Sequence, residues 1–326
     1  MVKGFKTYDM QIEYLRKEKN IICDTLNDRD ILVKYGYFNV VNGYKMPFVA
    51  SKDENGNHTY VKGVRIADIL EVKLFDDELR HVLFKNITKV EAEVRTVAAY
   101  AFDLSNEKDN KNWQDNSAYD DEYFEVKKIV EVVKSLMSEV STSRSNYLRH
   151  YQEKHSTIPT WILVKVINFN TFIDFLNITR KDVKDSICDL YGLKNRKDYS
   201  DYKLLQGSLH WIRKIRNACG HNERVYDMQM GGRIDLKYFD TLPKTYSVKR
   251  GQNKTMLDLL VYMRYYLSDD DYIRMLEEIE GLLRGLEEKI EKYAFEIIRS
   301  KMGIKSLGHF EEFKKLKKEI KYCDFC

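Results

Sequence analysis

Residues 212–227 read IRKIRNACGHNERVYD and place an arginine, an asparagine and a histidine within six positions: Arg216, Asn217 and His221. Histidine moves a proton near neutral pH and suits general acid or base work. Arginine stays charged and matches phosphate oxygens with two donors. Asparagine can orient either partner or accept from a 2′-hydroxyl. Together these groups meet the needs of metal-free RNA cleavage, in which a base takes the 2′-hydroxyl proton, the oxygen attacks the adjacent phosphate, and a cation steadies the pentavalent charge. Arginine and histidine near a helix C-terminus also serve as ordinary caps, and residue types alone leave both readings open.

Spacing adds a geometric demand. On an ideal helix residues five apart differ by ~140°, so Arg216 and His221 would not share a face. Either Gly220 loosens the turn before the histidine, or two copies of the motif complete one site across a dimer axis.

The elements that must position these residues read as helices. Three prolines and 15 glycines in 326 residues leave few breakers, and an all-β chain would need more turn residues. Met10, Ile12 and Leu15 fall at helical spacing behind Thr7 or Asp9 as a cap. The block YGYFNVVNGYKMPF follows, dense in aromatics, and then an extended pair around Asp53, Glu54, Asn55 and Gly56, a small hairpin. Leu79, Leu83, Ile87, Val90, Val94 and Val97 mark one buried stripe on a long helix. Residues 105–123 read as a polar surface loop, and helices are expected over 122–143 and around Tyr147. Pro159 opens one helix through WILVKVINFNTFIDFLN. Thr179 and Asp182 suggest a capping box for a helix that stops at Gly192. Leu205, Leu209, Ile212 and Cys219 give the helix of the opening motif its core stripe. After a long irregular loop over 228–254, Ser268 caps a single long helix with charge pairs such as Glu288 and Lys292, and a lysine-rich helix closes the chain. The expected fold is all-α with one small N-terminal hairpin, in three parts: an aromatic-rich region over 1–75, a helical core over 76–227, and a loop plus C-terminal helices over 228–326.

Fifty-five basic against 51 acidic residues leave a net charge of +4, too little to announce a nucleic-acid binder except through a local patch. Five scattered cysteines make no disulfide framework. No run approaches a membrane span and no apolar leader opens the chain, so the expected compartment is the cytoplasm, with no membrane partner. Cys323 and Cys326 form a CxxC without a second pair, which reads as a tail rather than a metal site. Asp269, Asp270 and Asp271 read as macrodipole-stabilising residues at a helix start. The closing lysines read as a solvated face, with an RNA-facing surface as the alternative. His58, His81, His150, His155 and His309 have no ligand-spaced partners, and the chain holds no phosphate-binding loop, GxSxG elbow or HExxH motif. No metal or other cofactor is expected.

Four blocks, in order, give the chain its likeness to known proteins: YGYFNVVNGYKMPF; LRHVLFKNITKVEAEVRTVAAY with the Glu91-x-x-x-Arg95 step; IPTWILVKVINFNTF, with Asn170 where a glycine is expected; and IRNACGHNERVYD. With them the chain resembles the Abi-like (AbiD/AbiF) abortive-infection family of the HEPN superfamily, over about residues 7–226. That resemblance implies a HEPN-type helical bundle, usually dimeric, and a metal-independent endoribonuclease acting in phage defence. It implies Arg216 and His221 as the catalytic pair, Asn217 as their helper, and Glu91 with Arg95 as a supporting ion pair. Arg213, Lys214 and Arg224 lie close enough in sequence to steer RNA phosphates. The implied partners are an RNA substrate, a second copy of the chain, and a small-RNA or protein antitoxin. A non-catalytic HEPN module binding RNA or protein is the alternative.

Overall fold

The first helix starts where the sequence says it should: the Thr7 hydroxyl accepts the Met10 N–H at 3.3 Å and opens α1 (Tyr8–Lys19), which stops at Asn20 in the left-handed conformation. In this computed structural model, residues 4–24, 26–54, 57–155, 157–194, 199–229 and 255–316 are described. Asn55 and Gly56 of the hairpin turn, all but the first two residues of the 228–254 loop, Lys317, Lys318 and the Cys323/Cys326 pair lie outside them. α2 (Leu26–Tyr35), a π-helical turn (Phe38–Asn42) and a 3-10 turn (Met46–Phe48) carry the aromatic block. The hairpin follows, β1 (Val49–Lys52) antiparallel to β2 (His58–Tyr60).

No glycine or proline interrupts residues 66–106, and they form one 41-residue helix, α3 (Ile66–Asn106). Leu79, Leu83, Ile87, Val90 and Val94 of its stripe are fully buried. Residue 75 and residue 76 both lie well inside this helix. Beyond it come α4 (Val126–Thr142), α5 (Asn146–Lys154), α6 (Thr160–Val166), α7 (Phe169–Ile178), α8 (Lys181–Tyr191), α9 (Tyr202–Gly220), α10 (Met256–Tyr266), α11 (Asp269–Glu287), α12 (Lys292–Lys301) and α13 (His309–Lys314). α3 is the axis of the molecule, with α6, α8, α9 and α11 packed around it. The fold is mostly α with one small hairpin, as expected.

Four local readings are corrected. The helix expected after Pro159 is two helices, because the Asn168 side chain accepts the Thr171 N–H at 3.0 Å and starts a new one; Glu139 on α4 takes the Asn168 backbone N–H at 2.6 Å and fixes the break. Thr179 does not cap α8; its hydroxyl donates back to the Leu176 carbonyl at 2.7 Å. The long helix after Ser268 ends at Glu287, and Lys292 opens α12, so the Glu288–Lys292 pair does not form. The stretch over 105–123 expected as a polar surface loop begins inside α3 and is anchored in the interior: Trp113 and Tyr119 are buried, and Tyr119 donates to the Trp113 carbonyl at 2.5 Å. α10 was not anticipated. It is buried on every side, so it carries no amphipathic stripe to read, and it backs α9 through the perpendicular Trp211–Tyr262 ring pair at 5.4 Å.

Candidate functional site

Arg216 and Asn217 sit in the last turn of α9, and His221 is its C-cap. Asp201 starts this helix by accepting the Leu204 N–H at 3.0 Å. Gly220 does not loosen the turn: it stays helical, and the His221 N–H donates to the Asn217 carbonyl at 3.0 Å. The chain leaves the helix one residue beyond the histidine, at Asn222, whose φ of 55° is left-handed. The Glu223 N–H then closes onto the Ala218 carbonyl at 2.9 Å, which satisfies a carbonyl the helix end would leave open.

Two charged pairs on α3 hold this end of α9 in place. Glu91 lies between two arginines: Arg95 donates to its Oε1 at 2.8 and 3.1 Å, and Arg216 Nε stands 3.3 Å from its Oε2. The Arg216 contact is an ion pair without hydrogen-bond alignment, and its side chain is 41% exposed. Arg95 is buried beneath. It donates to the Val164 carbonyl and, at 3.1 Å, to the Ile167 carbonyl, and its guanidinium lies over the Phe172 ring at 4.9 Å. Those two carbonyls are the ones the α6–α7 break leaves without helical partners. Burial pushes the Arg95 pKa below its usual value. One carboxylate thus ties the α6–α7 break, α3 and α9 together.

The second pair is Asp76 and Arg80, which sequence reasoning missed. Asp76 is fully buried; its carboxylate accepts the Tyr226 N–H at 2.8 Å, the Val225 N–H at 3.1 Å, the Tyr44 hydroxyl at 2.9 Å and Arg80 Nη1 at 2.6 Å. Arg80 also donates to the Glu223 carbonyl at 3.2 Å. Burial raises the Asp76 pKa to about 6 despite these donors. The signal was present in FDDELR: an acid and a base four apart, on the face that carries the apolar stripe. Arg216 therefore meets α3 at Glu91 and residues 223–226 meet it at Asp76 and Arg80, so α9 runs antiparallel to α3 with His221 between the two anchors.

The His221 side chain is exposed and forms no hydrogen bond or ion pair with the described residues. The Arg216 Nη1 donates weakly to Asn217 Oδ1, at 3.5 Å. Cys219, inside the motif, is buried, and that burial pushes its thiol up to about 12, which keeps it protonated and unreactive. Of the three residues expected to steer phosphates, Lys214 is exposed and donates to the Gln229 carbonyl at 2.7 Å. Arg213 is half-buried, and His210 is held below its usual pKa by burial and by Arg213. Arg224 is committed elsewhere, to Asp227 Oδ1 at 2.7 Å and to the Gly43 carbonyl, where it clamps the aromatic block to the end of α9. Lys314 of the closing helix is likewise paired, with Glu280 at 3.0 Å and Glu311 at 2.7 Å. Two of the three carboxylates expected to be structural have partners: Asp269 accepts from Arg264 at 2.5 Å and Asp271 from Lys89 at 2.6 Å. Among the described residues no group of three or more His, Cys, Asp or Glu side chains is placed to hold a metal ion.

The geometry defines a helical protein with an Arg-Asn-His helix end braced by two buried acid–base pairs. A family model described as Abi-like protein matches residues 30–227. The chain belongs to that family, which associates it with abortive-infection phage defence. The matched span includes the aromatic block, both α3 pairs and the α9 motif. Searches of curated proteins and of solved structures return no match. No helix among the described residues is long and apolar enough to cross a membrane.

Proposed function

We propose that the protein is a metal-independent endoribonuclease of the HEPN type that acts as an abortive-infection toxin. One observation carries this reading most directly: His221 stands exposed and uncommitted at a helix end that α3 anchors on both sides. His221 removes the 2′-hydroxyl proton of an RNA nucleotide. The freed oxygen attacks the adjacent phosphorus, and the bond to the 5′-oxygen breaks, leaving a 2′,3′-cyclic phosphate and, after protonation, a 5′-hydroxyl. Arg216 balances the added charge on the phosphate, and Glu91 keeps its guanidinium from swinging away while leaving its Nη atoms to the substrate. Asn217 steers Arg216.

Helix that stays regular through Gly220 leaves Arg216 and His221 ~140° apart around the axis, which favours a site completed by the same helix end of a second copy, hence a homodimer. Single-stranded or looped RNA fits such a site, because its 2′-hydroxyl can reach in-line geometry. A toxin of this kind needs restraint in healthy cells, and a small RNA or a protein antitoxin supplies it. A second reading rests on the Arg216–Glu91 pair, which also fits a non-catalytic module that binds RNA or protein. RNA cleavage in EDTA separates the two. Wild type should release cyclic-phosphate ends, and Arg216→Ala and His221→Ala should each lower the rate at least about a hundredfold. Cleavage at the wild-type rate by both folded variants would exclude the catalytic roles, and tight RNA binding without cleavage by the wild type would select the second reading.

A further inference from the structure

A cavity of about 600 Å³ lies in the N-terminal region, between α1, the π-helical turn and the hairpin. It is far in sequence from the α9 motif and shares no residue with it. Its wall combines two kinds of side chain. Lys6, Lys19 and Lys45 bring ammonium groups to it, while Tyr14, Tyr37 and Tyr60 supply aromatic surface, and among the described residues no carboxylate belongs to the lining.

The charges are arranged in an unusual way. Lys6 Nζ lies 4.0 Å and Lys19 Nζ 5.6 Å from the centroid of the same Tyr14 ring. Neither lysine forms an ion pair with a described residue. Two cations near one ring repel each other, and the ring quadrupole answers only part of that repulsion. A bound anion in the cavity would answer the rest. Lys45 donates to Asn42 Oδ1 at 3.0 Å and so faces the cavity in a fixed position. His58, also in the lining, has its pKa lowered by burial and by the nearby Lys45, Lys52 and Lys19. At the wall, Gln11 donates its Nε2 to the Lys6 carbonyl at 2.9 Å and leaves its Oε1 without a partner.

Volume sets the size of an occupant: pockets of roughly 300–1,000 Å³ take small molecules of nucleotide size. Ammonium groups bind phosphate oxygens through charge-assisted hydrogen bonds. Tyrosine faces stack on bases with little sequence preference. We propose that this cavity binds a nucleoside phosphate, its phosphates at Lys6, Lys19 and Lys45 and its base against the tyrosines. Free nucleotide and the 5′-phosphorylated end of an RNA share this chemistry. The proposal does not depend on the α9 site being catalytic.

Calorimetric titration of the full-length chain tests it, with ATP, adenosine, inorganic triphosphate, and 2′-O-methyl RNA hexamers carrying a 5′-phosphate or a 5′-hydroxyl. Saturable binding tighter than about 100 μM is expected for ATP, for the phosphorylated hexamer, or for both. Whichever binds identifies the source. Adenosine and triphosphate should each bind at least about tenfold more weakly than the full ligand, and the 5′-hydroxyl hexamer more weakly than the phosphorylated one. Lys6→Ala and Lys19→Ala should each weaken binding about tenfold, whereas Lys127→Ala on the exposed face of α4 should not. Tyr14→Leu should weaken ATP more than triphosphate. Circular dichroism and melting confirm that each variant is folded, and Lys19→Gln serves where an alanine variant is not. Absence of saturable binding to about 1 mM of both ligands overturns the proposal. So does binding that survives the lysine substitutions, or triphosphate that binds as well as ATP.

Discussion

Replacing Asp76 by alanine tests whether the end of α9 is held by α3 or merely rests on it. The substitution strips acceptors from two backbone N–H groups, the Tyr44 hydroxyl and one nitrogen of Arg80, all in a buried site. Each buried donor left unsatisfied costs about 1–3 kcal/mol, and Arg80 keeps Asp77 and the Glu223 carbonyl as partial compensation. The expected loss is about 3–6 kcal/mol. At about 2.1 cal/mol/K per residue for unfolding entropy, that loss lowers Tm by roughly 4–9 °C. Amide exchange at Val225 and Tyr226 should accelerate more than exchange in the centre of α3. The pH dependence gives an independent measure. The folded Asp76 carboxyl, with its pKa raised from 3.8 to about 6, holds its proton more tightly than the unfolded one. Its contribution to stability is therefore fully present below the unfolded value and lost as pH rises through 6. Wild type should gain about 1.3 kcal/mol over Asp76→Ala between pH 7 and pH 5. Urea denaturation at the two pH values measures both terms. Equal stability of the two proteins at pH 7, or a difference that shrinks as pH falls, would refute the reasoning.

Glu91→Gln keeps the side-chain shape but removes the charge that Arg95 and Arg216 share. It should cost about 2–4 kcal/mol by urea denaturation and, on the proposed reading, lower RNA cleavage at least tenfold. Asn222 is left-handed, so Asn222→Gly should leave stability within about 0.5 kcal/mol, while Asn222→Val should lose about 1–2 kcal/mol. Gly303 has φ +82°, and a Cβ there would clash with the hydroxyl of Thr255, the residue that caps α10. Gly303→Ala should cost about 2–4 kcal/mol, read as a fall in Tm.

The helical plan was legible because hydrophobic period and caps are local signals: Thr7, Ser268, Gly192 and the α3 stripe all act where the sequence places them. The α9 motif was legible by residue type, yet its surroundings were not. Asp76 joins residues about 150 positions away, and nothing local in the sequence announces that pairing. α10 escaped notice because a helix buried all round has no polar face to mark its period. The break at Asn168 escaped because one side-chain cap, backed by Glu139, outweighs a continuous apolar pattern. Arg224 looked like a phosphate ligand by charge alone, and only its contacts with Asp227 and Gly43 give it another use.

The antiparallel docking of α9 on α3 also governs when this site can come into being. On the ribosome α3 is complete long before its partners, and Glu91 waits for Arg216 while Asp76 waits for Val225 and Tyr226. Contacts of such long sequence separation form slowly, because loop closure must precede them. A nascent chain halted before Tyr226 carries α3 with its own acid–base pairs but with the contacts of Asp76 to residues 225–226 unmade and no anchored histidine. Lys85 and Lys89 wait longer still, for Glu278 and Asp271 on α11. The chain thus passes most of its synthesis without an assembled α9 end.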